Sequence, residues 1–378
     1  MLKVLHVYKS FFPDSEKEIE RYIYNVCKST EKYGVSHTVL CTYIDGDEPS
    51  AIAFDGIPIL KYPYSMKSRS CPISFKLFMS FKKEIEHADI IHYHHPWLFG
   101  DLLSFLNRKK KHVVTYHSGT IKQRHIRKIC SFLDRYFLSK ADRLITTVPN
   151  HAESYKDLKN FSDKISIIPN TLIEDNYPAP NILFCRQIKM RFRKFLLCIE
   201  QPRSNKGLSL LIDAMKELSY NLIIIRASKY KNKSSQVYEN KVNDNVYFFE
   251  NISKDKKINC LHSCNCVISP SVTKVEAGEI SLLEGAMFGK PLISCDIKNA
   301  EEYINIHNET GLVFSPTVSD LRAKIIKLMS NEDYAKRLGR NAFKRFYKFY
   351  NSDIVGKQLA NLYKEIMTED LHKNKVLT

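Results

Sequence analysis

The chain of 378 residues is longer than one ordinary hydrophobic core supports and matches two domains of usual size. Its apolar fraction of 44% is that of a globular protein, and no run approaches the roughly 18 to 20 apolar residues of a membrane-spanning helix. The sequence opens on a predicted strand rather than a signal peptide, and its ten cysteines are scattered singly. We therefore expect a reducing, cytoplasmic location.

The formal net charge of +17 implies either an anionic partner or a basic surface. Basic residues are dense at 67–83, at 108–111 and at 122–128. Aromatic and apolar residues interleave with the first cluster, which is typical of a helix lying on an anionic membrane. A solvated basic surface explains the same charge, so both interpretations stay open. Because no helix-turn-helix, zinc-finger or RNA-binding signature accompanies the charge, no nucleic-acid partner is expected.

The first half of the chain alternates predicted strands with predicted helices. Strands are predicted at Leu2–Tyr8, Thr38–Thr42, Ile57–Tyr62, Ile90–Tyr93, Val113–Tyr116, Leu144–Thr147 and Ile165–Ile168, and helices at Ile19–Tyr33, Phe75–His87, Leu98–Arg108 and Ile121–Lys140. Such alternation indicates a parallel, doubly wound sheet. Pro178 and Pro180 open an irregular run to Arg193 that we interpret as an interdomain linker.

The second half repeats this pattern. Strands are predicted at Phe195–Ile199, Leu222–Arg226, Val246–Phe249, Cys266–Pro270 and Pro291–Ser294, and helices at Leu208–Leu218, Lys254–Ser263, Ser281–Phe288, Val318–Met329, Tyr334–Tyr350 and Ile354–Met367. The predicted fold class is therefore α/β, with two doubly wound Rossmann-like domains at 1–180 and 181–351.

The segment Val275–Ile293, VEAGEISLLEGAMFGKPLI, places a loop before a short predicted helix and a buried strand. Apolar residues recur with helical spacing up to a stop signal at Gly289 and Pro291. Glu284 lies off the apolar face, and Glu276 lies in the loop, with seven residues between them. In parallel sheets, ligands bind at the carboxyl ends of strands, where helix N-termini present N–H groups to phosphate. We therefore expect a donor-binding site here.

Further motifs follow in order along nearly the whole chain: LKVLHVYKSFFPD, IIHYHHPWLFGDLL, VTYHS, SKADRLITT, KISIIPN and IHNETGLVF. With the paired glutamates, the chain resembles the retaining GT-B glycosyltransferases of family 4, especially the mannosyltransferase-like enzymes of bacterial O-antigen and lipopolysaccharide assembly. The resemblance implies two Rossmann-like domains facing each other across a cleft, with an N-terminal acceptor-side domain and a C-terminal nucleotide-sugar domain. It also implies that a last helix, 352–370, packs back onto the N-terminal domain.

The resemblance assigns roles to individual residues. Glu276 is expected to bind hydroxyls of the donor sugar, Glu284 the ribose, and Lys206 the diphosphate, while His117 contacts the transferring sugar. The catalytic candidates are His117 and Glu276, and the donor-binding candidates are Lys206, Arg203, Gly278, Glu279, Ile280 and Glu284. Without this context, a lone lysine is most often a solvated residue and a lone histidine a structural one.

Three segments of the donor and first-loop regions depart from the family pattern, at four positions. The Gly-Gly of the family's first loop, on the acceptor side, is replaced by Lys17 and Glu18. The diphosphate-binding arginine aligns with Gln201, which makes Arg203 the candidate substitute. Glu279 brings a carboxylate to N–H groups that a phosphate would use. These departures leave a second interpretation open, in which a catalytically degenerate homologue acts as a binding or scaffold subunit.

No metal or cofactor is expected. In the family, basic side chains and helix N-termini stabilise the departing diphosphate, and the stretch that matches HYHHPW is a structural and acceptor-side loop. Four further candidate ligands alternate at single-residue gaps, which is not zinc-site spacing and indicates buried cysteines: Cys260, His262, Cys264 and Cys266.

The expected reaction is retaining transfer of a mannose-like hexose from a nucleotide sugar, with GDP-mannose as the expected donor, to a lipid-linked oligosaccharide of surface polysaccharide. The expected partners are the donor, the lipid-linked acceptor, an anionic membrane surface and other transferases of polysaccharide assembly. The expected location is the inner face of the cytoplasmic membrane, with peripheral attachment.

Overall fold

The computed structural model describes residues 1–44, 46–66, 71–107, 109–117, 126–147, 158–200, 207–226, 238–272, 279–296 and 301–375. The chain divides into two compact units, one formed by Met1–Pro169 with Ser352–Thr378 and the other by Asn170–Asn351. Every helix in the described ranges is too short or too polar to cross a bilayer.

The described part of the first unit contains an eight-stranded sheet with flanking helices. Its strands are β1 (Leu2–Val7), β2 (Val35–Tyr43), β3 (Ser50–Phe54), β4 (Ile57–Pro63), β5 (Ile90–His95), β6 (Lys111–Tyr116), β7 (Arg143–Thr146) and β8 (Ile165–Ile167). Its first helices are α1 (Glu18–Glu31), α2 (Phe75–Glu84), α3 (Leu98–Leu103) and α4 (Ile126–Ser139), with 3₁₀ turns at Ser104–Leu106 and Lys159–Lys164. The strand order is β3-β4-β2-β1-β5-β6-β7-β8, and β3 alone pairs antiparallel.

Strands β1 and β5 are neighbours at the point where the strand order of the first sheet reverses. Both pair in parallel, with His6 opposite His92. Both are also largely buried, as expected for parallel strands covered by helices on each face. This switch point is where doubly wound sheets bind ligands, at the carboxyl ends of the strands.

Strand β3 is absent from the sequence-based prediction. Most of its side chains are exposed, so it lacks the alternation of a half-buried strand. The signal that identifies it is the Asp55–Gly56 pair, whose φ values of 48° and 78° match a two-residue hairpin turn into β4.

The described part of the second unit contains a seven-stranded sheet of order β11-β12-β10-β9-β13-β14-β15, in which β11 is antiparallel. Its strands are β9 (Phe195–Glu200), β10 (Asn221–Arg226), β11 (Tyr238–Asn243), β12 (Val246–Glu250), β13 (Cys266–Ser269), β14 (Leu292–Cys295) and β15 (Gly311–Phe314). Its helices are α5 (Ile182–Phe192), α6 (Leu208–Met215), α7 (Lys254–Ser263), α8 (Glu279–Met287), α9 (Glu301–Ile304), α10 (Val318–Ser330) and α11 (Glu332–Phe349), with a 3₁₀ turn at Glu174–Asn176.

The last helix, α12 (Ser352–Lys375), belongs to the first unit. Its buried Leu359, Tyr363 and Ile366 share one hydrophobic core with Tyr22 and Val26 of α1. The apolar face of α12 therefore covers the same side of the sheet as α1.

The interpretation of residues 178–193 as an irregular linker is wrong. Helix α5 occupies most of this run, and its first turn is capped by Asn181, whose side chain accepts a hydrogen bond from the Phe184 N–H at 3.0 Å. Phe192 packs into the core of the second unit, and so does Leu172. The division between the units consequently falls at residues 169–170 rather than 180–181.

Candidate glycosyltransferase site

The predicted site residues fall into three groups. Outside the described residues lie Glu276, Arg203, Lys206 and Gly278, together with Gln201. In the second unit, Ile280 and Glu284 are buried in α8, and Glu279 is the first residue of that helix. In the first unit, His117 follows β6, Lys17 immediately precedes α1, and Glu18 begins it. The described candidates therefore form two sets, each contained in one unit.

Glu284 is the described donor-site candidate with the most unusual surroundings. Its side chain is 1% exposed. One carboxylate oxygen, Oε1, accepts hydrogen bonds from Lys257 Nζ and, at 2.6 Å, from Tyr177 Oη. The other oxygen, Oε2, is buried and has no hydrogen-bond partner among the described residues. An unsatisfied buried polar atom costs about 1–3 kcal/mol, and more when it is charged, so Oε2 is suited to receive donors from a ligand. Glu284 is therefore a buried carboxylate and not a solvated surface residue.

Local structure fixes the position of α8. The helix ends in a Schellman motif, in which Gly289 takes a φ of +65°. The Gly289 N–H donates to Ala286 O and the Lys290 N–H to Gly285 O, both at 2.9 Å. The stop signal read from the sequence therefore acts as predicted. Burial on nearly all sides makes α8 a rigid support for Glu284.

The two segments that carry the other donor-site candidates start from neighbouring strands. Residues 201–207 connect β9 to α6, and residues 270–278 connect β13 to α8, while β9 and β13 adjoin at the switch point of the second sheet. Gly207, directly after Lys206, has a φ of +120°, and a Cβ there would lie 1.8 Å from the backbone oxygen of Pro270. Only glycine permits this close approach to the carboxyl end of β13.

In the first unit, four imidazoles form a hydrogen-bonded series that we call the histidine chain: His37, His6, His94 and His117. His37 Nδ1 lies 2.9 Å from His6 Nε2, and His6 Nδ1 lies 3.0 Å from His94 Nε2. His94 Nδ1 lies 3.2 Å from His117 Nε2, which places the predicted catalytic histidine at one end. At the other end, Thr30 Oγ1 of α1 lies 2.6 Å from His37 Nε2.

His92 flanks this chain without being a link in it. Its ring centroid lies 4.5 Å from that of His94. Its Nδ1 lies 2.7 Å from Tyr363 Oη of α12, and its Nε2 lies 2.7 Å from Thr115 Oγ1 of β6. Both ring nitrogens are therefore engaged in hydrogen bonds.

Burial controls the charge state of these rings. It lowers the pKa of His37 to about 3 and lowers the pKa values of His6, His92 and His94 well below the ordinary histidine value. Mutual repulsion among neighbouring rings lowers the pKa values of the last three further. These rings are therefore neutral near pH 7, with one donor and one acceptor nitrogen each.

Three groups of described residues bring enough ligand atoms together to be considered as metal sites: His6, His92 and His94; His6, Cys27 and His37; and His95, Asp101 and Asp134. In the first two groups, histidine nitrogens already form hydrogen bonds with one another or with hydroxyl groups. In the third, His95 Nδ1 and Asp101 Oδ2 lie 3.1 Å apart. The arrangement supports pairwise hydrogen bonding, and we assign no metal to it.

The alternating cysteines of the second unit form no such group. Cys260, Cys264 and Cys266 are buried, and burial raises the pKa of Cys260 to about 12 and that of Cys264 to about 11. They are structural thiols, as their spacing predicts.

The first turn of α1 contains a buried carboxylate, Glu20, that no sequence motif indicates. Glu20 is buried, and its Oε1 accepts hydrogen bonds from Ser10 Oγ at 2.6 Å and Ser15 Oγ at 2.7 Å. Lys17, by contrast, is exposed at the N-cap position of α1. Glu20 occupies the third helical position after that cap, a place where acidic residues hold the preceding segment. It ties the loop before Lys17 to the start of α1.

Two family descriptions match the chain, Glycosyltransferase Family 4 over residues 19–173 and Glycosyl transferases group 1 over residues 188–345. The D-rhamnosyltransferase WbpZ of Pseudomonas aeruginosa is 32% identical over 357 residues, which cover 93% of each chain. The O-antigen chain mannosyltransferase C of Escherichia coli is 29% identical over 368 residues, covering 97% of this chain and 99% of that one.

Solved structures show the same fold. A sucrose-phosphate synthase from Thermosynechococcus elongatus superposes with a TM-score of 0.77 at 16% identity, covering 98% of this chain and 100% of that one. Anabaena HepE, solved with UDP and glucose, gives a TM-score of 0.72 at 14% identity, with coverages of 97% and 100%. The expected family and fold are confirmed. The chain belongs to the family 4 glycosyltransferases, with a group 1 glycosyltransferase domain, and it is a glycosyltransferase of the GT-B fold.

Proposed function

We propose that the enzyme transfers a mannose-like hexose from a nucleotide sugar, with GDP-mannose as the first donor to test, to a lipid-linked glycan in O-antigen synthesis. The two relatives that match more than nine-tenths of the chain support the sugar class, because one is named a mannosyltransferase and the other a D-rhamnosyltransferase. D-Rhamnose is mannose without the 6-hydroxyl group, so both donors share one ring configuration.

The buried carboxylate of Glu284 carries this proposal. Ribose hydroxyls would donate to Oε2, while Lys257 and Tyr177 hold Oε1. A buried oxygen with an unused acceptor discriminates strongly in favour of a ligand that supplies a donor. The position of α8, directly after a segment that starts from the switch point, supports a nucleotide at this helix N-terminus.

The remaining roles follow the family pattern. Lys206 and Arg203 would neutralise the diphosphate, and the N–H groups of residues 278–280 would approach its oxygens. Glu276 would bind hydroxyls of the transferring sugar, and His117 would contact the same sugar. In a retaining transfer, the bond from the anomeric carbon to phosphate oxygen breaks. The acceptor oxygen bonds on the same face, and its proton passes to the departing phosphate.

Calorimetric titration with GDP, UDP, GDP-mannose, GDP-D-rhamnose and UDP-sugars tests the donor site. We expect one guanosine diphosphate sugar to bind. Its affinity should fall about 10- to 100-fold in Glu284→Gln, which is the factor expected when hydrogen bonds to a charged group are lost. Glu309→Gln, at an exposed glutamate of the same unit, is the matched control. Folded protein that binds none of the nucleotides would instead support the catalytically degenerate subunit.

The transfer step has its own test. Glu276→Ala should abolish transfer while leaving the fold intact, and turnover at the wild-type rate would rule out its catalytic assignment. The stereochemistry of the product, read from the anomeric coupling in NMR, tests retention.

Helix α2 supports peripheral attachment to an anionic membrane. Phe75, Phe78 and Met79 are 62%, 42% and 81% exposed, and Lys82 and Lys83 are exposed on the same helix. Apolar side chains beside basic ones suit the boundary between acyl chains and anionic headgroups. The N-terminus of α2 is held by Ser74, whose hydroxyl accepts a hydrogen bond from the Leu77 N–H at 3.2 Å.

Sedimentation with vesicles tests this attachment. We expect binding to vesicles that contain phosphatidylserine, weaker binding to pure phosphatidylcholine, and a clear loss in Met79→Glu. Met190→Glu is the control, because Met190 of α5 is also 81% exposed. Equal binding by both variants would favour the alternative of a solvated basic surface.

A further inference from the structure

The histidine chain runs without a break from Thr30 of α1 to His117 after β6. A neutral imidazole has one N–H donor and one bare acceptor nitrogen. In a head-to-tail series of such rings, each hydrogen bond therefore fixes the direction of the next. All the N–H donors of the histidine chain therefore point toward the same end, and the group at either end can determine this direction, which we call the polarity of the chain.

The Thr30 end sets the polarity. The hydroxyl of Thr30 lies 2.7 Å from the Val26 carbonyl oxygen, one helical turn earlier, and a carbonyl can only accept. The single hydroxyl proton is therefore committed to Val26. Because Thr30 Oγ1 also lies 2.6 Å from His37 Nε2, the proton of that second hydrogen bond must come from the histidine. Consequently His37 is protonated on Nε2 and bare on Nδ1.

The remaining protons follow link by link. His6 Nε2–H donates to His37 Nδ1, and His94 Nε2–H donates to His6 Nδ1. His117 Nε2–H then donates to His94 Nδ1. We propose that Thr30 and the histidine chain fix the tautomer of His117, so that its Nδ1 accepts a hydrogen bond from a hydroxyl of the transferring sugar instead of donating one.

This inference rests on the proposed function, in which His117 contacts the transferring sugar. Thr30, His37, His6 and His94 are then positioning residues, since they act on the sugar only through His117. Burial of the links keeps them neutral, which prevents an extra proton from reversing the chain near pH 7. The tautomer of a histidine decides what it recognises, and here Thr30, which lies 87 residues before His117 in the sequence, controls it.

Imidazole nitrogen spectra of the full-length, ¹⁵N-histidine-labelled protein test the tautomer directly, without any donor. In the wild type we expect Nε2–H and bare Nδ1 for His117 and for the three links. Thr30→Val keeps the shape of the side chain but removes the hydroxyl, so the His37 N–H loses its acceptor and the chain can reverse. We therefore expect mixed or reversed tautomers at His117 in this variant.

Two further variants distinguish the loss of the Thr30 hydroxyl from a change in side-chain packing. Thr30→Ser keeps the hydroxyl and loses a methyl group, and it should retain the wild-type tautomer. Ser29→Ala removes the neighbouring hydroxyl, which lies 3.3 Å from the same Val26 oxygen, and it should also leave the tautomer unchanged. In the transferase assay, we expect kcat to fall about two- to tenfold in Thr30→Val, the worth of about one hydrogen bond, and to stay near wild type in the other two.

Protonated Nδ1 at His117 in the wild type would overturn the proposal, and so would a Thr30→Ser variant as impaired as Thr30→Val. If Thr30→Val changed the tautomer of His117 but kept the wild-type kcat, the tautomer would have no role in transfer. A wild type that shows the expected tautomer but binds no nucleotide sugar would overturn the proposed function and leave the tautomer assignment supported.

Discussion

Mild acid should destabilise the first unit more than an ordinary domain, because its histidines are buried in the neutral form. Five histidines contribute, and burial lowers the pKa of each: His6, His37, His92, His94 and His112. For His37 and His112 the folded-state pKa is about 3. In the unfolded chain they take up protons below about pH 6.5, while in the folded unit they do not. Their contribution to stability is therefore complete above pH 6.5 and is lost as pH falls towards 3.

The magnitude follows from the number of groups. One unit below its unfolded pKa, each histidine lowers the free energy of unfolding by about 1.4 kcal/mol. Five such groups give a largest loss of about 7 kcal/mol between pH 7.5 and pH 5.5. A typical domain has only about 5–15 kcal/mol of stability, so this loss brings the first unit close to unfolding.

Urea unfolding followed by tryptophan fluorescence measures this unit specifically, because the single tryptophan, Trp97, is buried within it. His37→Gln removes one group that takes up a proton on unfolding. It should therefore reduce the slope of the free energy of unfolding against pH by about 1.4 kcal/mol per pH unit. His87→Gln, at an exposed histidine, should leave it unchanged. A free energy of unfolding that stays constant between pH 7.5 and 5.5, or an undiminished slope in His37→Gln, would refute this reasoning.

Three further outcomes are expected in the second unit. Lys257→Met leaves the buried Glu284 carboxylate without its cation, which should lower the free energy of unfolding, measured by calorimetry, by about 3–5 kcal/mol. The double variant Lys257→Met/Glu284→Gln should recover much of that free energy. Equal stability of the single and the double variant would contradict the buried ion pair. The thiols of Cys260 and Cys264 should react with iodoacetamide only after unfolding, since burial raises their pKa values; mass spectrometry that finds them modified in the native protein would contradict their structural role. Gly289→Ala should cost about 1 kcal/mol because of the positive φ. A Cβ there would meet Gly339 O and Phe343 Cβ at 3.9 Å, which adds no clash, and an unchanged melting temperature would argue against the Schellman motif.

Most of the parallel strands were predictable because a strand buried on both faces is a continuous apolar run. Strand β10 illustrates this, since its predicted range Leu222–Arg226 differs from the observed one by a single residue. Helix α5 was not predictable from composition, because two prolines precede it and its exposed Ile182, Leu183 and Met190 blur the helical pattern. The capping asparagine was the better signal.

Glu284 was recognisable from its motif, but its two partners were not. Lys257 and Tyr177 lie 27 and 107 residues away, and no local pattern relates such positions. The histidine chain shows the same limit. The alternation of His92 and His94 places both on one face of β5, but the contacts with His6 and His37 depend on strand order and register.

Helix α12 is far from the rest of the first unit in sequence, and this affects folding during synthesis on the ribosome. The second unit is inserted as one continuous stretch of chain between β8 and α12. At about 5–20 residues per second, the ribosome needs on the order of 10 to 40 seconds to make that insert. During this interval the first sheet lacks Leu359 and Ile366 over its core, and His92 lacks its Tyr363 partner. We therefore expect the nascent first unit to expose apolar surface that chaperones can bind, whereas the second unit has its own core complete as soon as its last strand and helix emerge.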